Sequence, residues 1–321
     1  MGLQICVAKP TNFLEDTVKK IVAMLVLIAV SAMLFACDSP GASTTTQSTI
    51  GTTDTGLPDI SAGEPVTPYA DIDFSDGGII DKNGVITLEI KKGATEEGAY
   101  VEKIPVHFKG IEKVLPVLCI KEESAWVKGT FSEFEDNTEF DAFVAEKGGF
   151  SIEVFYLDNS MTEANRGIVC STESVGGDSK RSGWGIAETA HGAPYFITGH
   201  AAENEYSSVY AAKASEEDFV HVVGVYNGKA KRNAIYVNGS LVSSDSVAGA
   251  FTSANKLDIY ENFNMATVFY IGADPAASPG KEHECDFPAN DLMVLDVKFY
   301  SCALDEAQVK AVFAESIKAF G

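Results

Sequence analysis

Residues 150–156 carry a period of two: Phe150, Ile152, Val154 and Tyr156 interleave with Ser151, Glu153 and Phe155. Alternate side chains of an extended chain fall on opposite faces, so this segment reads as a strand. Phe219, His221, Val223 and Val225 alternate with a second, mostly apolar set, which predicts a strand buried on both faces. Ile235-Tyr236-Val237 runs into Asn238-Gly239 and then Leu241-Val242. Asn-Gly between β-rich runs predicts a two-residue hairpin turn, because both turn residues need positive φ. Further short strands are predicted at 86–90, 104–109, 115–120, 184–188, 194–198, 267–272 and 292–300. Many short strands separated by turns predict an all-β fold, a two-sheet antiparallel β-sandwich of jelly-roll type.

One helix is predicted near the C-terminus. Asp305 with Gln308 forms a capping-box start, and Val309, Val312, Phe313 and Ile317 make one apolar stripe. The expectation is that it packs at the sandwich edge.

The N-terminal region has a different character. Lys19-Lys20 precede an apolar run, Ile21 to Ala36, that ends at Cys37. Positive charge followed by such a run is the layout of a secretory signal, and the run is short for a membrane span. Glu15 and Asp16 sit where a signal should be positive, so a translation start at Val18 is expected. Leu34-Phe35-Ala36-Cys37 resembles the lipobox of bacterial lipoproteins, which marks 1–37 as a lipoprotein signal region and implies acylation of Cys37 and cleavage just before it. Asp38 next to it would favour inner-membrane retention in a Gram-negative cell. Residues 38–70 are rich in Ser, Thr, Gly and Pro and are expected to be a disordered tether. The globular domain is expected over 71–321.

The formal charge is -22 over 321 residues, and residues 1–37 are net positive, so the remainder is more acidic still. That charge excludes nucleic acid as a direct ligand and disfavours contact with an anionic membrane except through the lipid. Cys119, Cys170, Cys285 and Cys302 allow either two disulfides or free buried thiols.

Several segments, in order, resemble the laminin-G-like, concanavalin A-like domains of bacterial surface proteins. They are Asp71-Ile-Asp-Phe-Ser-Asp, Asp81-Lys-Asn-Gly, Gly149–Tyr156, Asp218–Gly228, Ile235–Gly239, Tyr270–Asp274 and Leu295–Leu304. Phe219 stands where such domains usually have Trp. The resemblance implies a structural calcium ion joining the first strand to the last, with Asp73 and Asp296 as side-chain ligands. Similar domains precede metallophosphoesterase domains in some bacterial chains, but the His- and Asp-rich metal motifs of those enzymes are absent here.

Other constellations are weak. Glu282-His283-Glu284-Cys285-Asp286 spaces three acids as a glycosidase strand would, but in the wrong order and between Pro279-Gly280 and Pro288. Glu133, Glu135, Asp136 and Glu139 read as an exposed acidic face. The five histidines lack zinc spacing, and no nucleophile elbow or phosphate loop occurs. Trp126, Trp184, Tyr195 and Tyr206 are candidates for stacking on sugar rings.

The leading expectation is therefore a membrane-anchored module on the extracytoplasmic face that recognises a glycan or a surface protein, without catalysis. The alternatives are a glycoside hydrolase or lyase of this fold, an accessory domain related to those fused to metallophosphoesterases, and a passive structural component. Fold alone does not separate them.

Overall fold

The computed structural model describes residues 66–321, apart from 96, 161–163, 172, 176–179, 201–204, 214–217, 253–266, 276–284 and 287. Cys37, residues 38–65 of the predicted tether and Glu282-His283-Glu284 lie outside the described residues, whereas Val66 and Tyr69 pack against the domain and Ala70 opens its first strand.

In chain order the strands begin β1 (Ala70–Asp73), β2 (Ile80–Asp81), β3 (Ile86–Lys91), β4 (Ala99–Phe108), β5 (Ile111–Ile120) and β6 (Trp126–Phe131). Helix α1 (Asn137–Lys147) comes next. Then come β7 (Gly149–Asp158), β8 (Arg166–Cys170), β9 (Glu173–Val175), β10 (Lys180–Ser182), β11 (Trp184–Glu188), β12 (Pro194–His200) and β13 (Glu205–Tyr210). After these come β14 (Val220–Asn227), β15 (Arg232–Val237), β16 (Ser240–Ser246), β17 (Val268–Ile271), β18 (Asp274–Pro275), β19 (Cys285–Asp286), β20 (Leu292–Tyr300) and helix α2 (Glu306–Ser316).

Two antiparallel sheets form the sandwich. The first runs β16-β15-β14-β7-β20, and the far side of β20 pairs with β5 along its first half and with β1 along its second. The second runs β13-β12-β11-β8-β17-β6-β3. β9–β10 and β18–β19 are separate two-stranded ribbons.

The alternation in β7 decides the layering. Phe150, Ile152, Val154 and Tyr156 enter the core between the sheets with Trp184, Phe196, Phe269 and Phe299. Phe155 and Leu157 face the other way, into a second cluster with Phe108, Phe219, Phe313 and Phe320. A strand buried on both faces needs a cover on its outer side. The β4–β5 hairpin and α2 supply it. Helix α2 thus lies over the outer face of the first sheet rather than at the edge, with the Phe313 ring 6.0 Å from Phe108 and 5.0 Å from His221.

Local signals in the sequence have direct structural counterparts. Asn238 and Gly239 take φ of 49° and 77°, and Val237 pairs with Ser240 across the turn. Asp305 accepts from Gln308 N while Gln308 Oε1 accepts from Asp305 N, the reciprocal capping box. Helix α1 was not foreseen. Asp136 from the acidic run is its N-cap, accepting from the Thr138 and Glu139 amides, and Gly148 closes it in the left-handed conformation. Strands β6, β8 and β13 were also missed.

Three of the four cysteines are thiols. Cys119 and Cys302 are free, and the buried Cys170 thiol donates to Ile186 O at 3.2 Å. Two disulfides are thereby excluded.

Candidate functional site

Of the four aromatic candidates, three are structural. Trp184 is packed among Phe150, Phe269 and Phe299 in the core. Trp126 is buried and stacked on Tyr270 with centroids 5.6 Å apart. Tyr195 is buried beneath Tyr210 at 5.2 Å. Tyr206 is exposed, and it has a companion that sequence reasoning missed.

That companion is Tyr210, on the same edge strand β13. Its alternation places Tyr206, Ser208 and Tyr210 on one face while Val209 is buried. At 38% and 51% exposure, Tyr206 and Tyr210 are the two exposed aromatics among the described residues. The pairing with β12 sets Tyr210 opposite Tyr195, Ser208 opposite Ile197 and Tyr206 opposite Gly199, which has no side chain. Ser208 Oγ donates to the Tyr210 hydroxyl at 3.1 Å. Four residues of strand separate the two rings by about 13 Å. The face combines exposed ring surface with three hydroxyls, the mixture that a sugar requires. The alternation Tyr-Ser-Ser-Val-Tyr was the available signal.

The structure brings Asp73 and Asp296 together. Both line a 370 Å³ pocket bounded by β1, the turn after it, the β4–β5 hairpin and α2. Two lysines sit in the same pocket. Lys82 Nζ is 3.4 Å from both Asp71 Oδ2 and Asp73 Oδ2, and Lys298 Nζ is paired with Asp296. Burial pushes the Asp296 carboxyl up, to about 6, against the pull of Lys298. The Asp73 carboxyl is raised by burial but lowered more by the Ser75 amide and hydroxyl and by Lys82, and ends below its ordinary range. Calcium takes six to eight oxygens and no ammonium. With a lysine on each carboxylate, this donor set does not fit the ion, and among the described residues no group of three or more His, Cys, Asp or Glu is placed to hold a metal.

Behind that pocket Glu153 is fully buried and acts as a hub. His221 Nε2 lies 2.9 Å from its Oε1, Ser316 Oγ donates to the same oxygen at 2.5 Å, and Tyr300 OH donates to Oε2 at 2.5 Å. Burial raises this carboxyl, yet Lys298, His221 and Ser316 outweigh it and hold it well below the usual carboxylate range.

Paired carboxylates do occur, but between the sheets. Arg166 Nε is bonded to Asp158 and its Nη2 lies 3.1 Å from Glu188 Oε2, while Tyr156 OH donates to Glu188 Oε1 at 2.7 Å. Burial and the neighbouring Asp158 push Glu188 up to about 7. All three charged side chains are at most 4% exposed. Glycosidase chemistry needs carboxyls flanking a substrate bond, and no substrate reaches a triad sealed in the core.

Phe219, the departure from the usual Trp, is buried against Phe155 in the outer cluster, an apolar swap that the packing absorbs.

No curated protein matches the chain. Solved structures with this fold include one described as the binding domain of botulinum neurotoxin DC in complex with SialylT, at 13% identity and TM-score 0.52, covering 77% of this chain and 51% of that chain. Another is the binding domain of botulinum neurotoxin DC in complex with rat synaptotagmin II, at 14% identity and TM-score 0.50, covering the same 77% and 51%. The chain thus spans about half the length of these structures, and at such identity the likeness is one of fold. The family model for concanavalin A-like lectin/glucanases matches residues 133–310, more than half of the chain and the whole stretch from α1 through β20. On that match this protein belongs to the concanavalin A-like lectin/glucanases superfamily.

Proposed function

We propose that this chain is a non-catalytic binding module that recognises a glycan on the Tyr206–Tyr210 face and is held outside the membrane by lipid on Cys37. The observation that carries the reading is the exposed pair of rings with Ser208 between them on one strand face. Exposed aromatics on a sheet face are the usual platform for the apolar faces of sugars. Two neighbouring structures carry SialylT and a protein, synaptotagmin, in their complexes, which supports a binding role for the fold while leaving the ligand of this chain to experiment. Residues 38–65 serve as the tether, of on the order of 30 Å reach, between the anchor and the sandwich.

A glycan array probed with the full chain, followed by a reducing-sugar assay on every hit, tests this reading. Binding without turnover that is lost in Tyr206→Ala and Tyr210→Ala supports it. Turnover would move the chain to the hydrolase class, and capture of a protein but no glycan would replace the glycan by a surface protein.

A further inference from the structure

At the end of the sandwich, away from the tyrosine face in sequence and in lining residues, lies a second cavity of about 220 Å³. Its walls are the last turns of α1, the β14–β15 loop and the segment at 250–251. The floor is apolar, made by Val144, Ala145, Ala250 and Phe251. Lys229 and Lys231 line it from the loop. Lys82, Lys121 and Lys298 each have a carboxylate partner, and among the described residues neither Lys229 nor Lys231 makes an ion pair.

A third polar group completes the set. The Tyr226 hydroxyl accepts the Phe251 amide at 3.0 Å, and Tyr226 is itself 3% exposed. Burial raises its pKa, so the hydroxyl keeps its proton as a donor. The space exists because two positions lack side chains. A Cβ at Gly148 would collide with Lys229, and one at Gly228 would sit 3.3 Å from the Tyr226 hydroxyl. The loop is held open by Ala230 N bonding to Asn227 Oδ1 at 2.8 Å and Gly228 N to Gly148 O at 3.0 Å. Asp141, the acid in the lining, accepts from Thr252 Oγ1 at 2.8 Å.

We infer that this cavity is a seat for one carboxylate-bearing sugar ring, a uronic acid residue, with its carboxylate on Lys229 and Lys231 and its ring over Phe251. Two ammonium donors and a hydroxyl match the acceptor-rich carboxylate, and charge-assisted bonds of this kind are the strong ones. The volume lies below the roughly 300–1,000 Å³ of drug-sized sites, which suits a single ring. One lysine near the C-terminus of α1 also complements the helix dipole. That role accounts for Lys229 at most and gives Lys231 and the cavity no purpose.

The test uses the full chain titrated with sodium glucuronate, with glucose and sodium acetate as separate titrants. Saturable glucuronate binding that weakens with added salt is expected, with no binding of glucose and weaker binding of acetate. Lys229→Gln with Lys231→Gln should weaken glucuronate by about tenfold or more at unchanged melting temperature. No saturable glucuronate binding, equal binding of glucose or acetate, or an unaffected double variant would overturn the inference. The tyrosine variants report on the other face, so either site can fail without the other.

Discussion

His221 Nε2 lies 2.9 Å from Glu153 Oε1, and neither side chain has any solvent exposure. The pair joins adjacent strands β7 and β14, and Ser316 and Tyr300 tie the same carboxylate to α2 and β20. One carboxylate therefore fastens the outer helix to the sheet. A buried charge of this kind is costly to expose or to orphan.

Glu153→Ala removes the hub and leaves His221 and the Ser316 and Tyr300 hydroxyls without this acceptor, with Asp296 as the remaining carboxylate on Lys298. A loss of about 3–5 kcal/mol in denaturant unfolding is expected. Glu153 also makes the fold acid-sensitive. Its folded pKa is depressed, so its stabilisation is present above the unfolded value near 4.3 and fades as pH falls below it. Glu153→Gln should flatten that acid limb, and an unchanged limb would mean that another group carries it.

His200 is also shifted down, but there burial favours the neutral form. It is 1% exposed, and burial lowers its pKa to about 4. A histidine kept neutral when folded costs stability as pH falls from its unfolded value near 6.5 through 4. The His200 ring resonances in a proton NMR titration should show no midpoint above pH 5. A midpoint near 6.5 would place the ring in water.

Gly239 is required twice over. Its φ is 77°, and a Cβ there would meet Phe313 Cδ1 at 2.5 Å. Gly239→Val combines the cost of positive φ with displacement of α2, and a destabilisation of several kcal/mol, larger than a typical surface substitution, is expected by thermal melting. An unchanged melting temperature would show that the turn and helix rearrange freely.

Lysines in the Asp73–Asp296 pocket predict indifference to calcium. Melting in chelator and in millimolar calcium should coincide, because an ion that bound only the folded state would raise the midpoint. An upward shift that disappears in Asp73→Asn and Asp296→Asn would show that calcium displaces Lys82 and Lys298.

Cys37 is expected to be the first residue of the mature protein, acylated. Mass spectrometry of the N-terminus from cells checks this, and Cys37→Ala should block processing. A mature chain that begins elsewhere would remove the lipid anchor from the proposal.

Local order was written in the residues themselves. Period-two runs mark β7 and β14, Asn238-Gly239 marks a turn that needs two positive φ values, and Asp305 with Gln308 marks the start of α2. Each of these depends on neighbours a few residues away, so a single sequence suffices. Helix α1 escaped notice because it buries little beyond Phe140 and Val144, too narrow a stripe to stand out from its charged residues. Only the tertiary structure decided that Glu153 is buried, since the cover over that face comes from residues more than 60 positions away in β14, β20 and α2. It alone chose Tyr206 and Tyr210 for the surface while Trp126, Trp184 and Tyr195 went inside, because exposure depends on which neighbouring strand or ribbon lies over each ring. Lys82 entered the Asp73 pocket for the same reason, through a turn that folds it back onto the first strand, whereas Lys298 stands two residues from Asp296 on β20 and shares its strand face.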